Sequence, residues 1–273
     1  MIFKNEIMEK LSKSLVEKNC VINDEVKSFV DGYNGPFCEV LKENYKIAQT
    51  EGIPLCQDTG IVEFFVFIGH EVRVEEPLVE ILNEVVEIVY SQSPFRYSVV
   101  RDPLFERKNT QNNTPPIIHI FQTKGNNLEI RFLIKGGGSE NLSRLYMLRP
   151  SSNIEDFKRV IIEHIKENGA KGCPPLHVGI GVGGTSDEAI VLSKLALTKN
   201  FKERNIESRY ASLEIELIKR LNELKIGFQG LGKGVSVFSV HIEAFPTHIA
   251  TLPVGISTDC YLCRKGVIDI EDR

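Results

Sequence analysis

The stretch KGCPPLHVGIGVGGTSDEAIVLSKLAL occupies residues 171–197 and combines a strand pattern with a helix pattern. Residues 176–182 form a short apolar run after two prolines, which predicts a strand, and residues 186–197 carry apolar side chains at helical spacing. The glycines at the end of the strand formally match a dinucleotide-binding fingerprint. That motif also needs an acidic residue at the end of a following strand, and here the following residues are predicted helix. We therefore interpret these glycines as a turn that packs a strand closely against a helix.

Helical and strand patterns also alternate along the rest of the chain. Helical spacing of apolar residues predicts helices at residues 5–18, 37–50, 77–90, 154–167 and 208–224. Short runs of β-branched and aromatic residues predict strands at 61–68, 117–122, 128–134 and 235–243, and the turn at 124–127 predicts a hairpin. The pattern predicts a mixed α/β fold of the α+β type, with small β-sheets flanked by helices. We treat residues 1–273 as one domain, with two lobes dividing near residue 150.

Composition narrows the class of protein. The chain has 273 residues, of which 42% are hydrophobic and 26% are charged, as in an ordinary globular protein. The formal net charge of -4, with both signs interspersed, disfavours nucleic acid as a partner. No apolar run approaches the roughly 20 residues that span a bilayer, and the N-terminus does not resemble a signal peptide. We expect a cytoplasmic protein without a membrane partner, in which the cysteines are ligands or buried thiols rather than disulfides.

Three of the six cysteines lie in unlike, turn-rich contexts: Cys56 in LCQDTG, Cys173 in KGCPP and Cys260 in STDC. Three thiolates suit an iron-sulfur cluster in which one iron has no protein ligand and can act as a Lewis acid. Cys263 forms a Cys-x-x-Cys pair with Cys260, a spacing that by itself would suggest zinc or a redox dithiol. We interpret Cys263 as a buried thiol.

Three motifs together resemble one enzyme family. These are CQDTG at 56–60, KGGGSEN at 135–141 and CPPLHVGIGVGGT at 173–185, and with the third cysteine near the C-terminus they resemble the class I, iron-sulfur fumarate hydratases. The resemblance runs nearly end to end and covers the alpha subunit, or the N-terminal domain of the single-chain form. L-tartrate dehydratase alpha subunits are similar in the same motifs. The resemblance implies a 4Fe-4S cluster on Cys56, Cys173 and Cys260, with the cysteine loops converging between the two lobes.

The reaction that the resemblance implies is the reversible hydration of fumarate to (S)-malate. Asp58 and His248 match the family pair that handles the proton, and Gln57 and Arg96 match residues that contact the dicarboxylate. Glycines around Gly137 would let backbone amides approach the substrate carboxylate or the cluster. The alternative interpretation is that Asp58-Thr59-Gly60 is only a turn with a side-chain-to-backbone hydrogen bond.

Several nearby residues compete for these roles or are interpreted as structural. Arg101 and Arg107 are alternatives to Arg96, since arginine suits carboxylates in general. We interpret His119, His177 and His241, which lie in predicted strands, as interior or edge imidazoles without a catalytic role.

The resemblance also implies that the active site is incomplete in this chain. The family's remaining substrate arginine and lysine and its base threonine belong to a beta subunit, so we expect a separate beta subunit and an alpha2-beta2 assembly. The alternative substrate is L-tartrate or another hydroxy-dicarboxylate. Two readings from other classes are an iron-sulfur electron carrier with Cys263 as fourth ligand and a zinc-stabilised scaffold.

Overall fold

The computed structural model describes residues 1–272 and confirms the mixed α/β fold. The chain forms two compact units. Unit 1 comprises Met1–Asp24, Glu39–Gly136 and the segment from Arg264 onward, and unit 2 comprises Glu25–Cys38 and Gly137–Cys263. The region near residue 150, where we expected a lobe boundary, lies within unit 2, and the assignment of one domain stays a prediction.

The helices follow the predicted pattern closely, with two that the sequence analysis did not anticipate, α2 and α5. They are α1 Lys4–Cys20, α2 Asp24–Gly32, α3 Cys38–Glu51, α4 Leu78–Gln92, α5 Gly137–Glu140, α6 Ile154–Asn168, α7 Ser186–Ala196 and α8 Ser208–Asn222. Within residues 1–272, no helix is both long enough and apolar enough to cross a membrane.

The strands include the predicted ones and three more near the middle and end of the chain. They are β1 Ile61–Gly69, β2 Ile117–Thr123, β3 Asn127–Lys135, β4 Arg144–Leu148, β5 Leu176–Gly183, β6 Val237–Phe245, β7 Leu252–Asp259 and β8 Lys265–Glu271. Among the described residues they form two four-stranded sheets, one in each unit.

The sheet of unit 1 has the order β2-β1-β3-β8, so the predicted hairpin of β2 and β3 is wrong. β1 lies between these strands, parallel to β2 and antiparallel to β3. The short connection at 124–126 passes the end of β1, where the Glu71 N–H donates to the Gly125 carbonyl at 3.1 Å. The physical reason is burial: β1 has buried side chains on both faces, and such a strand belongs in the centre of a sheet.

The core of unit 1 lies between this sheet and two helices. The buried apolar faces of α1, with Leu11 and Leu15, and of α4, with Val85, pack against strand residues that include Phe64 and Phe132. Each such side chain contributes roughly 1.5–3 kcal/mol when it is fully buried. This core fixes α1, α4 and β1, the elements that carry the loops of interest in unit 1.

The sheet of unit 2 has the order β4-β7-β5-β6, with helices on both faces. Val178 and Ile180 of β5 face a core shared with α6 and α8. On the opposite face, a Cβ at Gly179 or Gly181 would overlap carbonyl oxygens of α7. This close approach confirms that the glycines of the 176–184 stretch pack a strand against a helix.

Candidate functional site

The Cys56 loop connects α3 to β1 in unit 1 and is held from both sides. The Leu55 N–H donates to the Asn19 carbonyl at 2.8 Å, and the Asn44 side-chain amide donates to the Leu55 carbonyl at 3.0 Å. Cys56 itself is partly exposed and is a free thiol. The loop therefore presents a reactive group on a backbone that is hydrogen-bonded at the preceding residue.

Two predicted residues directly after Cys56, Gln57 and Asp58, contact the segment of unit 1 that carries Arg96. Arg96 Nη1 lies 3.4 Å from Gln57 Oε1, and Asp58 Oδ1 accepts from the Gly60 N–H at 3.0 Å and from Ser98 Oγ at 3.4 Å. Asp58 thus makes the expected side-chain-to-backbone turn and also contacts the segment that carries Arg96. An amide, a carboxylate and a guanidinium are brought to one place.

The polar segment at 93–116 is folded by specific hydrogen bonds. Thr59 Oγ1 donates to the Arg96 carbonyl at 2.7 Å. Asn113 is fully buried; its Oδ1 accepts from the Ser98 N–H at 2.6 Å and its Nδ2 donates to the Gly60 carbonyl at 3.0 Å. Of the competing arginines, Arg107 donates to the Pro103 carbonyl within its own loop at 2.6 Å. Arg96 is therefore positioned next to Gln57 by the segment's own hydrogen bonds.

Tyr90 of α4 supports the same loop from beneath. Its hydroxyl donates to the Thr59 carbonyl at 2.6 Å. Burial raises the pKa of Tyr90 to about 12, although the nearby Arg264 cation and Asn19 side chain oppose the shift. The hydroxyl therefore keeps its proton, and the hydrogen bond to the loop, throughout the physiological pH range.

Two supporting residues were missed by sequence reasoning. Asn19, at the end of α1, is fully buried, and its Oδ1 accepts from Arg264 Nη1 at 3.0 Å. Arg264 is only 3% exposed, and a guanidinium that is so fully buried needs a hydrogen-bond acceptor. The pair joins the start of β8 to the backbone that holds Leu55, and the one signal in the sequence was a polar residue on the buried face of an amphipathic helix.

The glycine motif is divided between the units. At Gly136 in unit 1, a Cβ would lie 3.1 Å from Asp58 Oδ2, so a larger residue would crowd the carboxylate. Gly137 begins the one-turn helix α5 of unit 2 and is exposed, and its carbonyl accepts from the Asn141 N–H at 3.0 Å. The role of Gly137 in binding substrate stays a prediction.

The other two predicted ligands lie in adjacent loops of unit 2. Cys173 is exposed and adopts left-handed backbone angles, φ 55° and ψ 62°, after a short 3-10 turn at Gly169–Gly172. The Tyr261 N–H donates to the Cys173 carbonyl at 3.1 Å, which joins this loop to the residue that follows Cys260. Cys260 is partly exposed, and its own N–H donates to Asp259 Oδ1 at 2.9 Å.

Two of the three remaining cysteines are buried and therefore less available as ligands. Cys263 is fully buried, and its thiol donates to the Cys260 carbonyl at 3.1 Å, whereas Cys20 is buried and Cys38 is partly exposed. Within residues 1–272, no three His, Cys, Asp or Glu side chains are grouped to hold a single metal ion. A cluster makes a different demand, because it is held by separate cysteine thiolates. Accessible thiols in backbone-anchored loops fit that donor set, and the convergence of all three loops stays a prediction.

His248 lies in an exposed loop of unit 2 after β6. Its Nδ1 accepts from the Ala250 N–H at 3.1 Å, so the neutral ring carries its proton on Nε2. Thr247, the residue before His248, is fixed by its Oγ1, which donates to the Gly184 carbonyl at 2.9 Å. His248 belongs to a different unit from Asp58, and the pairing of the two stays a prediction.

The histidines interpreted as structural lie in strands, as expected. His177 and His241 are fully buried in β5 and β6, and His177 Nε2 lies 3.0 Å from the Leu197 carbonyl oxygen. His119 of β2 lies 2.9 Å from Glu63 Oε1 on the neighbouring strand.

Comparison with known proteins agrees with the motifs. The sequence model of the fumarate hydratase family (Fumerase) matches residues 31–269, and the chain belongs to this family. A hydratase adds or removes water, so membership places the chain among the hydro-lyases.

Individual relatives carry a more specific name. The chain is 40% identical over 230 residues to the putative L(+)-tartrate dehydratase subunit alpha of Methanocaldococcus jannaschii, covering 82% of this chain and 81% of that protein. It is 34% identical over 217 residues to the L(+)-tartrate dehydratase subunit alpha of Escherichia coli and to that of Shigella sonnei, covering 79% of this chain and 72% of each.

Proposed function

We propose that this chain is the alpha subunit of an iron-sulfur hydro-lyase, with a 4Fe-4S cluster held by Cys56, Cys173 and Cys260. When bound, the cluster would supply an iron without a protein ligand, a Lewis acid for the substrate hydroxyl. The observation that carries the proposal is that the two residues after Cys56 both contact one segment: Gln57 contacts Arg96, and Asp58 contacts Ser98. Carboxylate-binding and proton-transferring groups next to a predicted cluster ligand are what dehydration of a hydroxy-acid needs.

In this proposal each residue has a separate task. Arg96 binds a substrate carboxylate through its planar fork of N–H donors, which matches the two carboxylate oxygens. Gln57, in contact with Arg96 Nη1 through its Oε1, orients that guanidinium and presents its own amide to the substrate. The Gly137 backbone amide is a further donor to a substrate carboxylate.

Proton transfer falls to Asp58 and His248. Asp58 is held by two donors on Oδ1, so its carboxylate has a fixed direction, as a general base requires. His248 in its neutral form carries a proton on Nε2, because Nδ1 accepts from the backbone, and this proton can be shared with a carboxylate. The pair together would handle a proton during the reaction, while the threonine that is the family's base would come from the beta subunit.

The substrate we favour is L(+)-tartrate. The sequence motifs favour fumarate as the substrate, but the relatives described above are named for tartrate. We therefore place tartrate before fumarate as the candidate substrate. Loss of water from tartrate gives an enol that becomes oxaloacetate. Fumarate and (S)-malate remain the second candidate, supported by the description of the family.

The proposal includes a partner and a location. The relatives are named as alpha subunits, which supports a beta subunit that supplies the rest of the active site, and we propose an alpha2-beta2 assembly. We also propose a cytoplasmic location, where reducing conditions keep the cysteines as thiols.

The test is iron and acid-labile sulfide per chain after anaerobic reconstitution, in wild type, Cys56→Ser and Cys263→Ser. We expect a 4Fe-4S content in wild type and in Cys263→Ser, and its loss in Cys56→Ser. Dependence of the cluster on Cys263, or zinc in place of iron, would refute the ligand assignment. Turnover of L(+)-tartrate against (S)-malate, measured with the beta subunit present, then decides the substrate.

A further inference from the structure

A turn in unit 2 contains a glutamine in an unusual backbone conformation. Gln229 has φ 51° and ψ 23°, left-handed angles that residues other than glycine adopt infrequently. Glycines occupy neighbouring positions with positive φ, including Gly227 and Gly230. A side chain kept at such a position while glycine is used around it points to a task for that side chain.

The turn lies against residues on both sides of Cys173, Ala170 before it and Pro174 after it. The Gln229 N–H donates to the Pro174 carbonyl at 2.8 Å, and a Cβ at Gly230 would lie 3.3 Å from Ala170 Cβ. Phe228 is 2% exposed and stacks on Tyr33 with ring centroids 4.2 Å apart. Gln229 is therefore held at a fixed place beside the Cys173 loop.

The side-chain amide of Gln229 has no acceptor in the part of the chain that the structure describes. Its Nε2 is buried, yet no hydrogen-bond partner lies within reach. Buried donors are almost always paired, so this one indicates an acceptor outside the polypeptide. Two backbone carbonyls of the Cys173 loop each accept another N–H group: the Pro174 carbonyl accepts from the Gln229 backbone, and the Cys173 carbonyl accepts from Tyr261.

We propose that the Gln229 side-chain amide donates a hydrogen bond to a sulfur of the iron-sulfur cluster bound through Cys173, either the thiolate or an inorganic sulfide. This inference rests on the proposed function, because it needs a cluster at Cys173. Gln229 is thus a positioning residue that orients the cluster and adjusts its electronic properties.

The consequence is a change in reduction potential. Reduction adds negative charge to the cluster, and an N–H donor to sulfur stabilises that charge. Loss of one hydrogen bond changes the equilibrium between the oxidised and reduced cluster about fivefold. For a one-electron step, a tenfold change corresponds to 59 mV, so a fivefold change corresponds to ~40 mV. Removal of the donor should therefore make the potential more negative by that amount.

The experiment compares the reconstituted full-length wild type with Gln229→Met, which keeps the length of the side chain and removes the donor. The matched control is Gln111→Met, because Gln111 also has positive φ, 63°, but is exposed in unit 1. The potential is measured by a dithionite titration followed by electron paramagnetic resonance. The apo proteins are compared by thermal unfolding.

We expect Gln229→Met to lower the potential by ~40 mV, or to lose the cluster, while its apo form unfolds at the wild-type temperature or higher. Gln111→Met should leave the potential unchanged. An unchanged potential in Gln229→Met, or cluster loss accompanied by a destabilised apo form, would overturn the inference in favour of a structural role. Failure of the wild type itself to take up a cluster would instead refute the proposed function.

Discussion

The buried pair of Asn19 and Arg264 provides a sharp test of how the Cys56 loop is held. The substitution Asn19→Ala removes the acceptor of Arg264 Nη1 and the bond from Asn19 Nδ2 to the Leu15 carbonyl, at 3.0 and 3.1 Å. It leaves the Asn19 backbone carbonyl, which accepts from Leu55, in place. The perturbation therefore isolates the side-chain contribution.

The size of the effect follows from burial. A hydrogen bond to a charged group contributes about 1.5–3 kcal/mol, and the neutral bond to the Leu15 carbonyl contributes about 0.5–1.5 kcal/mol. Arg264 is 3% exposed, so water cannot replace the lost acceptor. We expect the free energy of unfolding to fall by about 2–4 kcal/mol, a shift in Tm of roughly 5–15 °C for a chain of this size.

The control is Asn83→Ala in α4. Asn83 Nδ2 donates to the Val79 carbonyl at 2.8 Å, the same bond to the residue four positions earlier, but Asn83 is partly exposed and no bond to an arginine is involved. Urea unfolding of both variants measures the difference, and the rate of thiol modification at Cys56 in the apo protein reports on the loop. Equal losses of stability in the two variants would refute the reasoning that the buried guanidinium depends on Asn19.

Further predictions concern the site, the packing and the pH dependence. With the beta subunit present, Arg96→Ala should lower kcat/KM roughly 100-fold through loss of two charged hydrogen bonds, and Arg107→Ala should change it less than about twofold; steady-state kinetics check this. Gly181→Ala should destabilise by about 3 kcal/mol in urea unfolding, because its Cβ would overlap α7, whereas Gly32→Ala, with nothing near its Cβ, should be tolerated. Burial lowers the pKa of His164 below its ordinary value, so stability should fall as the pH drops below about 6.5, where the unfolded state takes up the proton first. His164→Gln should flatten that decline in a series of unfolding curves.

Much of the fold was predictable because local periodicity reports burial. β1, α4 and the pair β5 and α7 have strong patterns, and each was predicted to within a few residues. The predicted pairing of β2 with β3 was wrong because a short polar turn does not indicate whether a third strand lies between the two strands that it connects. β7 was missed because Pro253 and Gly255 interrupt its pattern. Seven of its eight residues are buried, so the strand shows no alternation of apolar and polar side chains.

The site residues, like the elements of the fold, were predictable from the sequence only in part. Gln57, Asp58 and Arg96 could be named from motifs, and the structure shows Gln57 in contact with Arg96 and Asp58 in contact with Ser98. Asn19 and Arg264 could not, since the two residues lie 245 positions apart and neither has a local signal for the contact. Gln229 was missed because its backbone angles and its unpaired amide are properties of the folded turn, whereas the sequence around it resembles an ordinary glycine-rich loop.

The discontinuity of unit 1 in the sequence has a consequence for biosynthesis. β8 pairs with β3, yet the ribosome makes Gly137–Cys263 between the two strands. At 5–20 residues per second, the nascent chain holds β3 without its outer partner for roughly 10 s. An unpaired edge is a template for pairing with other chains during that interval. The step of biogenesis most exposed to aggregation should therefore be translation itself, and chaperones that bind nascent chains should protect β3 until β8 has emerged.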